Sequence, residues 1–259
     1  MMQEFASFDL TSSALLNGKG VFTTVAICNG VPFLWEKHWR RLTADAQKLQ
    51  IEISAHTEES VADELIESIS RSNTVSGRAR VSFFDQSPSA LWSSEDRRKG
   101  RLFILVAERR EIAENFKLTI SPHRINTTSP LVGVKSCNYL DHLMAIDEAR
   151  SRGFAEAIRL NERGEIASAC MSNVFWLKGD RLFTPSLKTG CLAGTTREFV
   201  LENLECEEVE AGKRELETAD ALFLTSSGIG VMQVSVFEKR ILQRVRHRME
   251  DLLRDVTMN

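Results

Sequence analysis

No stretch of this 259-residue chain approaches the ~20 consecutive apolar residues that a bilayer-crossing helix needs, so no membrane association is expected. Charge of one sign is not in excess either. Against 33 Lys and Arg stand 36 Asp and Glu, interspersed, and a net charge of −3 gives no reason to propose nucleic acid as a partner. The five cysteines (Cys28, Cys137, Cys170, Cys191, Cys206) form no CxxC pair, and none stands at a metal-site spacing from a histidine. That argues against a metal site and for reduced thiols in a cytoplasmic protein. Cys137 and Cys170 read either as small buried hydrophobes or as thiols lining a site. The opening MMQEFASFDLTSSALL lacks a basic segment ahead of a continuous apolar core, so no signal peptide is expected. No G-x-G-x-x-G follows a strand, and no G-x-x-x-x-G-K-[ST] occurs. Tyrosine occurs once, at Tyr139.

What is present describes a soluble globular protein: 42% apolar and 27% charged residues. VFTTVAIC (21–28), Asn29-Gly30 and VPFLW (31–35) read as a β-hairpin, because Asn-Gly suits the two positive-φ positions of a tight turn. Helical spacing follows over 36–50, with Trp39, Leu42, Ala46 and Leu49 on one stripe, and over 58–69, with Val61, Leu65 and Ile69. Segments 78–84, 101–107 and 116–122 read as strands, and 85–100 as a loop. The polar stretch HRINTTSPLVG has no sustained period and reads as a linker. Beyond it come a helix over 138–152, a strand over 155–161, a hairpin turning at Gly179-Asp180, a helix from 194, a strand over 221–227 and a charged amphipathic helix over 240–256. Strands cluster instead of alternating with helices, which argues against a Rossmann-type sheet. The expectation is an α+β chain of two domains: a smaller one over 1–122, a linker over 123–133 and a larger one over 134–259.

Four features could carry chemistry. Lys135, in GVKSCNYLDHL, stands apart from other charges, whereas most lysines here adjoin them. Alone it reads as a solvated surface residue; buried or beside cations it becomes a nucleophilic amine. In LAGTTRE (192–198), Gly194, Thr195 and Thr196 offer backbone N–H groups and hydroxyls at a helix start, either an anion site or a plain N-cap. LTSSGIG (224–230) runs a strand into hydroxyls and glycines, either a second anion cradle or an ordinary turn. In HWRRL (38–42), at least one of Arg40 and Arg41 should face the core side and find an anion there, with solvent the alternative for the other. An amine, two anion-cradling turns and an arginine are what pyridoxal phosphate requires.

The segments GKGVFTTVAICNG, HWRRL, SPLVGVKSCNYL, EARSRGFAEAIRLNERGEI, SNVFWLKGDRLFTP and CLAGTTREFVLE, in this order, resemble the class IV aminotransferases, the fold type IV pyridoxal-phosphate enzymes. This group includes branched-chain and D-amino acid aminotransferases and 4-amino-4-deoxychorismate lyases. The resemblance spans about Gly18 to Val234. It implies the D-amino acid aminotransferase-like architecture, a homodimer with its site at the subunit interface and a small amino-acid-like substrate. It further implies that Lys135 forms the imine with the cofactor and shuttles the Cα proton. Arg41 would pair with the phosphate, as would Thr195 and Thr196 in one turn and Ser226 and Ser227 in the other. Tyr139 would lie near the phenolic oxygen. Phe22 would line the substrate pocket, and Arg80 would stand near the substrate side.

One position departs from the pattern. Relatives carry a glutamate that protonates the pyridine nitrogen where this chain has Ser168, and the nearest acid, Glu165, is three residues earlier. Gly18-Lys19-Gly20 also replaces the usual Gly-Asp-Gly, and the opening strand is missing or degenerate. A hydroxyl can donate to an unprotonated nitrogen but does not raise its pKa. Transamination should suffer more from that than an elimination whose product ring becomes aromatic. The expected activity is therefore 4-amino-4-deoxychorismate lyase, forming 4-aminobenzoate and pyruvate. A D- or branched-chain amino acid aminotransferase and a non-catalytic relative of the fold are the alternatives.

Overall fold

The computed structural model describes residues 10–89, 100–109 and 115–252. The chain gathers into two compact units: Met1–Glu108 with Val134–Asn138, and Arg109–Gly133 with Tyr139–Asn259.

The first unit opens with α1 (Ser13–Asn17), β1 (Gly20–Cys28) and β2 (Val31–Pro32). Helices α2 (Trp35–Lys48) and α3 (Glu58–Arg71) follow, then strands β3 (Gly77–Asp85) and β4 (Gly100–Glu108). The strands form one antiparallel sheet in the order β2-β1-β3-β4. The β1–β2 hairpin turns on Asn29 and Gly30, both at positive φ, as the Asn-Gly pair predicts. Along β1, Val21, Thr23, Val25 and Ile27 are buried on one face, the period-2 pattern of a strand with a helix layer over it. The apolar members pack with Leu42 and Ala46 of α2, Val61, Leu65 and Ile69 of α3, and Ala79, Val81 and Phe83 of β3. A capping box between Thr57 and Ser60 starts α3.

The second unit begins with β5 (Lys117–Ile120), α4 (Leu140–Ser151), β6 (Glu156–Leu160) and β7 (Ile166–Ala169). The β8 (Asn173–Lys178) and β9 (Arg181–Pro185) hairpin, α5 (Thr195–Asn203), β10 (Glu207–Val209) and α6 (Arg214–Thr218) come next. Strands β11 (Ala221–Ser226), β12 (Gly230–Gln233), β13 (Val236–Phe237) and β14 (Arg240–Ile241) complete it. Two five-stranded sheets result, β10-β9-β8-β11-β12 and β14-β13-β5-β6-β7. They share a core that includes Leu118, Ile158, Trp176, Leu222, Leu224 and Phe237. Among the described residues no helix is long and apolar enough to cross a membrane.

Two regions differ from the sequence expectation. Strand β5 pairs in parallel with β6 and β13, so it lies in the second unit together with the 123–133 stretch, while Val134–Asn138 returns to the first. The helix expected over 240–256 is helical only from residue 248 among the described residues, with 253–256 lying outside them. Arg240–Ile241 instead pairs with Val236–Phe237 across a turn in which Glu238 takes a φ of 54°. The Glu238 carboxylate accepts from Thr119 Oγ1 and the Ile120 N–H, both at 2.8 Å, and Phe237 and Leu242 enter the core. Burial against a strand more than a hundred positions earlier overrides the local helical period. Of the 85–100 loop, 90–99 lies outside the described residues.

Candidate active site

In the first unit, residues 135–137 lie extended along the outer edge of β1. The Phe22 N–H donates to the Lys135 carbonyl at 3.0 Å, the Cys137 N–H to the Gly20 carbonyl at 2.8 Å, and Val21 faces Ser136 in a bridge. The approach is close enough to require glycine at 20. A Cβ there would lie 2.9 Å from the Phe84 ring and 3.0 Å from Cys137 Sγ.

Lys135 thus sits on a short edge segment, not on the surface of a helix. Its Nζ stands 4.5 Å from the centre of the Phe22 ring, and the Arg80 guanidinium carbon stands 3.5 Å from the same ring. Phe22 is 4% exposed, so a guanidinium and an amine share one buried aromatic side chain. Arg80 also reaches Ser82 Oγ at 3.3 Å and Cys137 Sγ at 3.9 Å.

Helix α2 carries His38, Arg41 and Asp45 at spacings of three and four, on one stripe. Of the paired arginines, Arg40 is exposed and Arg41 half-buried, as the apolar stripe predicts for one of them. Arg41 Nη2 donates to Thr23 Oγ1 at 2.8 Å, and that hydroxyl lies 2.6 Å from His38 Nδ1. Asp45 Oδ2 accepts the Lys135 backbone N–H at 3.0 Å, across 90 residues of chain.

These neighbours decide protonation. Burial, then the charges of Arg41 and Arg80, bring the Lys135 amine from 10.5 down to about 7, with Asp45 opposing. The lysine keeps some solvent access, yet its surroundings are crowded enough with protein for desolvation to lead. Burial, then Arg41 and Lys135, hold His38 well below its ordinary value, so the imidazole is neutral. Burial also raises Asp45, against the Lys135 N–H and three cations. The result is an amine that is substantially neutral near pH 7, the form in which nitrogen is nucleophilic and basic.

In the second unit, Gly194 is the N-cap of α5 and makes no side-chain cap bond. Thr195 and Thr196 are therefore the first residues of the helix and not its cap. The first intrahelical bond runs from the Glu198 N–H to the Gly194 carbonyl, so the amides before it point out of the helix's own ladder. Asn173, at the start of β8, donates to the Leu192 carbonyl at 2.9 Å, and a Cβ on Gly194 would run into its Oδ1. Thr195 Oγ1 lies 3.3 Å from Ser227 Oγ, which brings the two hydroxyl-bearing turns together. Thr195 and Thr196 are buried; Ser226 and Ser227 are half-buried.

Tyr139 stacks on His142, with ring centres 4.3 Å apart. Ser168 lies on β7, 7% exposed, directly across from the fully buried Arg159 of β6. Arg159 donates to the His123 and Arg124 carbonyls and to Asp141 Oδ2. Neither nearby acid takes the place of a carboxylate at 168. Glu165 is held by Arg163 and Asn161, and Glu156 accepts the backbone N–H groups of Ala157, Cys170 and Met171. Thr23, His38, Asp45 and Arg159 were not read from the sequence; the 38/41/45 spacing was the one visible hint.

The sequence pattern of the family described as amino-transferase class IV matches residues 20–237. The chain belongs to the class IV aminotransferases. Within that family, a protein named aminodeoxychorismate lyase from Bacillus subtilis (strain 168) is 31% identical over 234 residues, which are 86% of this chain and 79% of that one. The branched-chain aminotransferase of the archaeon Thermoproteus uzoniensis, solved with norvaline, matches with a TM-score of 0.88 at 25% identity, covering 98% of this chain and 89% of that one. The 4-amino-4-deoxychorismate lyase of Pseudomonas aeruginosa matches at 0.85 and 22%, covering 99% and 97%. The α+β architecture expected from the sequence is the family's own.

Proposed function

We propose that this class IV aminotransferase binds pyridoxal 5'-phosphate on Lys135 and acts as a 4-amino-4-deoxychorismate lyase, releasing 4-aminobenzoate and pyruvate. The observation that carries the cofactor is the desolvated amine of Lys135, about half of it neutral at pH 7, with the charges of Arg41 and Arg80 acting on it. The donor set suits the group: an amine for its carbonyl, an arginine for its phosphate, and hydroxyl-bearing turns joined at the Thr195–Ser227 contact. When bound, pyridoxal phosphate supplies an electrophilic carbonyl and a conjugated ring that takes up electron density from the substrate Cα.

The chain's own residues do the rest. Arg41, Thr195, Thr196, Ser226 and Ser227 would hold the phosphate and so keep the ring in register. Tyr139 would serve the phenolic oxygen and Ser168 the ring nitrogen. Lys135 Nζ would hold the cofactor's carbonyl carbon and, when free and neutral, would take a proton from the substrate Cα and return it. Phe22 walls the substrate pocket, and Arg80 offers a guanidinium to a substrate carboxylate.

Ser168 supports the lyase over the transaminase, because a hydroxyl leaves the ring a weaker electron sink and aromatisation of the product supplies its own driving force. The Bacillus subtilis relative supports the same activity. Likeness to a branched-chain aminotransferase structure favours transamination as the second reading. A homodimer fits the apolar stripe that α4 exposes: Leu140, Leu143 and Met144, at i, i+3 and i+4.

Two measurements test the proposal. Wild-type protein should show a visible absorption band with the cofactor that Lys135→Ala lacks; a wild type that stays colourless supports the non-catalytic alternative. Pyruvate release from aminodeoxychorismate should then outpace transamination in the wild type, and the reverse order establishes the aminotransferase.

A further inference from the structure

We propose that Thr23 and His38 are positioning residues for Arg41, and that together they set how tightly the site grips a phosphate monoester. The inference rests on the reading above in which Arg41 holds the cofactor phosphate.

The argument starts from donor and acceptor inventories. A guanidinium only donates, so at the 2.8 Å contact Thr23 Oγ1 must accept from Arg41 Nη2. The hydroxyl then has one proton of its own to place. His38 Nδ1 lies 2.6 Å away, and it can take that proton only if it carries none itself. His38 is 1% exposed and stands near the charges of Arg41 and Lys135, so its ring stays neutral and one of its two nitrogens is an acceptor. With the hydrogen on Nε2, that acceptor is Nδ1. In that tautomer the chain runs Arg41 → Thr23 → His38, and its first link cannot be reversed because a guanidinium never accepts.

The geometry holds Arg41 from two elements at once. Thr23 is 0% exposed, on the helix-facing side of β1, while His38 and Arg41 share one turn of α2. An arginine is ordinarily a flexible side chain that loses much rotamer freedom on gripping an anion. Here part of that loss has been taken on folding, leaving the rest of the fork directed before a ligand arrives. Thr23 therefore contributes to affinity for the phosphate group without touching it. A β-branched apolar residue of the same shape keeps the packing and removes only the hydrogen bonds.

The test compares apo-protein affinity for pyridoxal phosphate with that for pyridoxal, which lacks the phosphate. Thr23→Val should weaken pyridoxal phosphate by roughly tenfold, the scale of a hydrogen bond to a charged group, while pyridoxal changes by less than about twofold. Thr23→Ser, which restores the hydroxyl, should recover the difference. His38→Leu should reproduce the selective loss and His38→Asn, which keeps an acceptor near the Nδ1 position, should relieve it; this pair decides the matter if Thr23→Val does not fold. Equal weakening of both ligands, or of neither, overturns the inference. If Arg41→Gln itself leaves the ratio of the two affinities unchanged, the assignment of Arg41 to the phosphate fails and this inference with it. If Arg41→Gln collapses the ratio while the Thr23 and His38 variants preserve it, only the positioning role is lost.

Discussion

The two units contribute chemistry of opposite kinds. The first surrounds one amine with cations on a buried aromatic ring, and the resulting destabilised charge makes Lys135 reactive. The second offers hydroxyls and helix-start amides around the Thr195–Ser227 contact, all uncharged, with its buried Arg159 tied to carbonyls and Asp141. Charge dominates one set of side chains, and neutral donors the other. Removing a charge should therefore act strongly on the first set, removing a neutral donor weakly on the second, and adding a charge to the second should change its character.

The largest expected effect is at Lys135 itself. Lys135→Ala should abolish the visible band and lower pyruvate release by on the order of 10³-fold or more, measured by a coupled pyruvate assay. Next comes Ser168→Glu, which brings a charge into the neutral half. It should shift the ratio of transamination to pyruvate release upward by roughly tenfold, the effect of about one pKa unit at the ring nitrogen, read in parallel assays; an unchanged ratio places Ser168 away from the ring.

Smaller and opposite effects are expected from the neighbours of Lys135. In the apo protein, labelling of this amine by an acylating reagent, followed by mass spectrometry against pH, should reach half its maximum near pH 7. Arg80→Gln removes a cation and should move that midpoint up; Asp45→Asn removes the opposing anion and should move it down. Stability gives the same sign. Between about 7 and 10.5 the unfolded chain holds the Lys135 proton and the folded chain does not. This group's penalty is therefore full below pH 7 and fades as pH rises to 10.5. Lys135→Met should flatten that part of the apo protein's stability profile in denaturant titrations.

The smallest effect belongs to the neutral half. Thr195→Val should weaken cofactor binding by only about fivefold, the scale of one ordinary hydrogen bond, in an equilibrium titration.

Local signals carried much of this architecture. Asn29-Gly30 was readable because a tight hairpin needs two positive φ angles, which that pair tolerates. The stripes of α2 and α3 were readable because Leu42 and Ala46 of one, and Val61, Leu65 and Ile69 of the other, bury at helical spacing against the sheet. Lys135 stood out by its uncharged frame, and Arg41 by its place beside an apolar stripe. Where partners are remote, the sequence was silent. Nothing near 240 announces that Val236–Phe237 pairs with β5, so a helical period read there as a helix. Thr23, His38 and Asp45 looked like polar interruptions of core faces. Their meaning arises only where α2 and β1 meet the segment at 134–138.

The pairing of that segment with β1 has a consequence for how the molecule comes into being. On the ribosome, β1 emerges early and must wait for more than a hundred further residues before its outer edge is covered. Until then it presents unpaired backbone groups that any nascent neighbour could join. A polypeptide interrupted before residue 135 would keep that template permanently. Closing so long a loop is also slow relative to forming the local hairpins on either side. The Lys135 amine is consequently among the last pieces to reach its place, so its lowered proton affinity arises only in a chain whose first unit is already sealed.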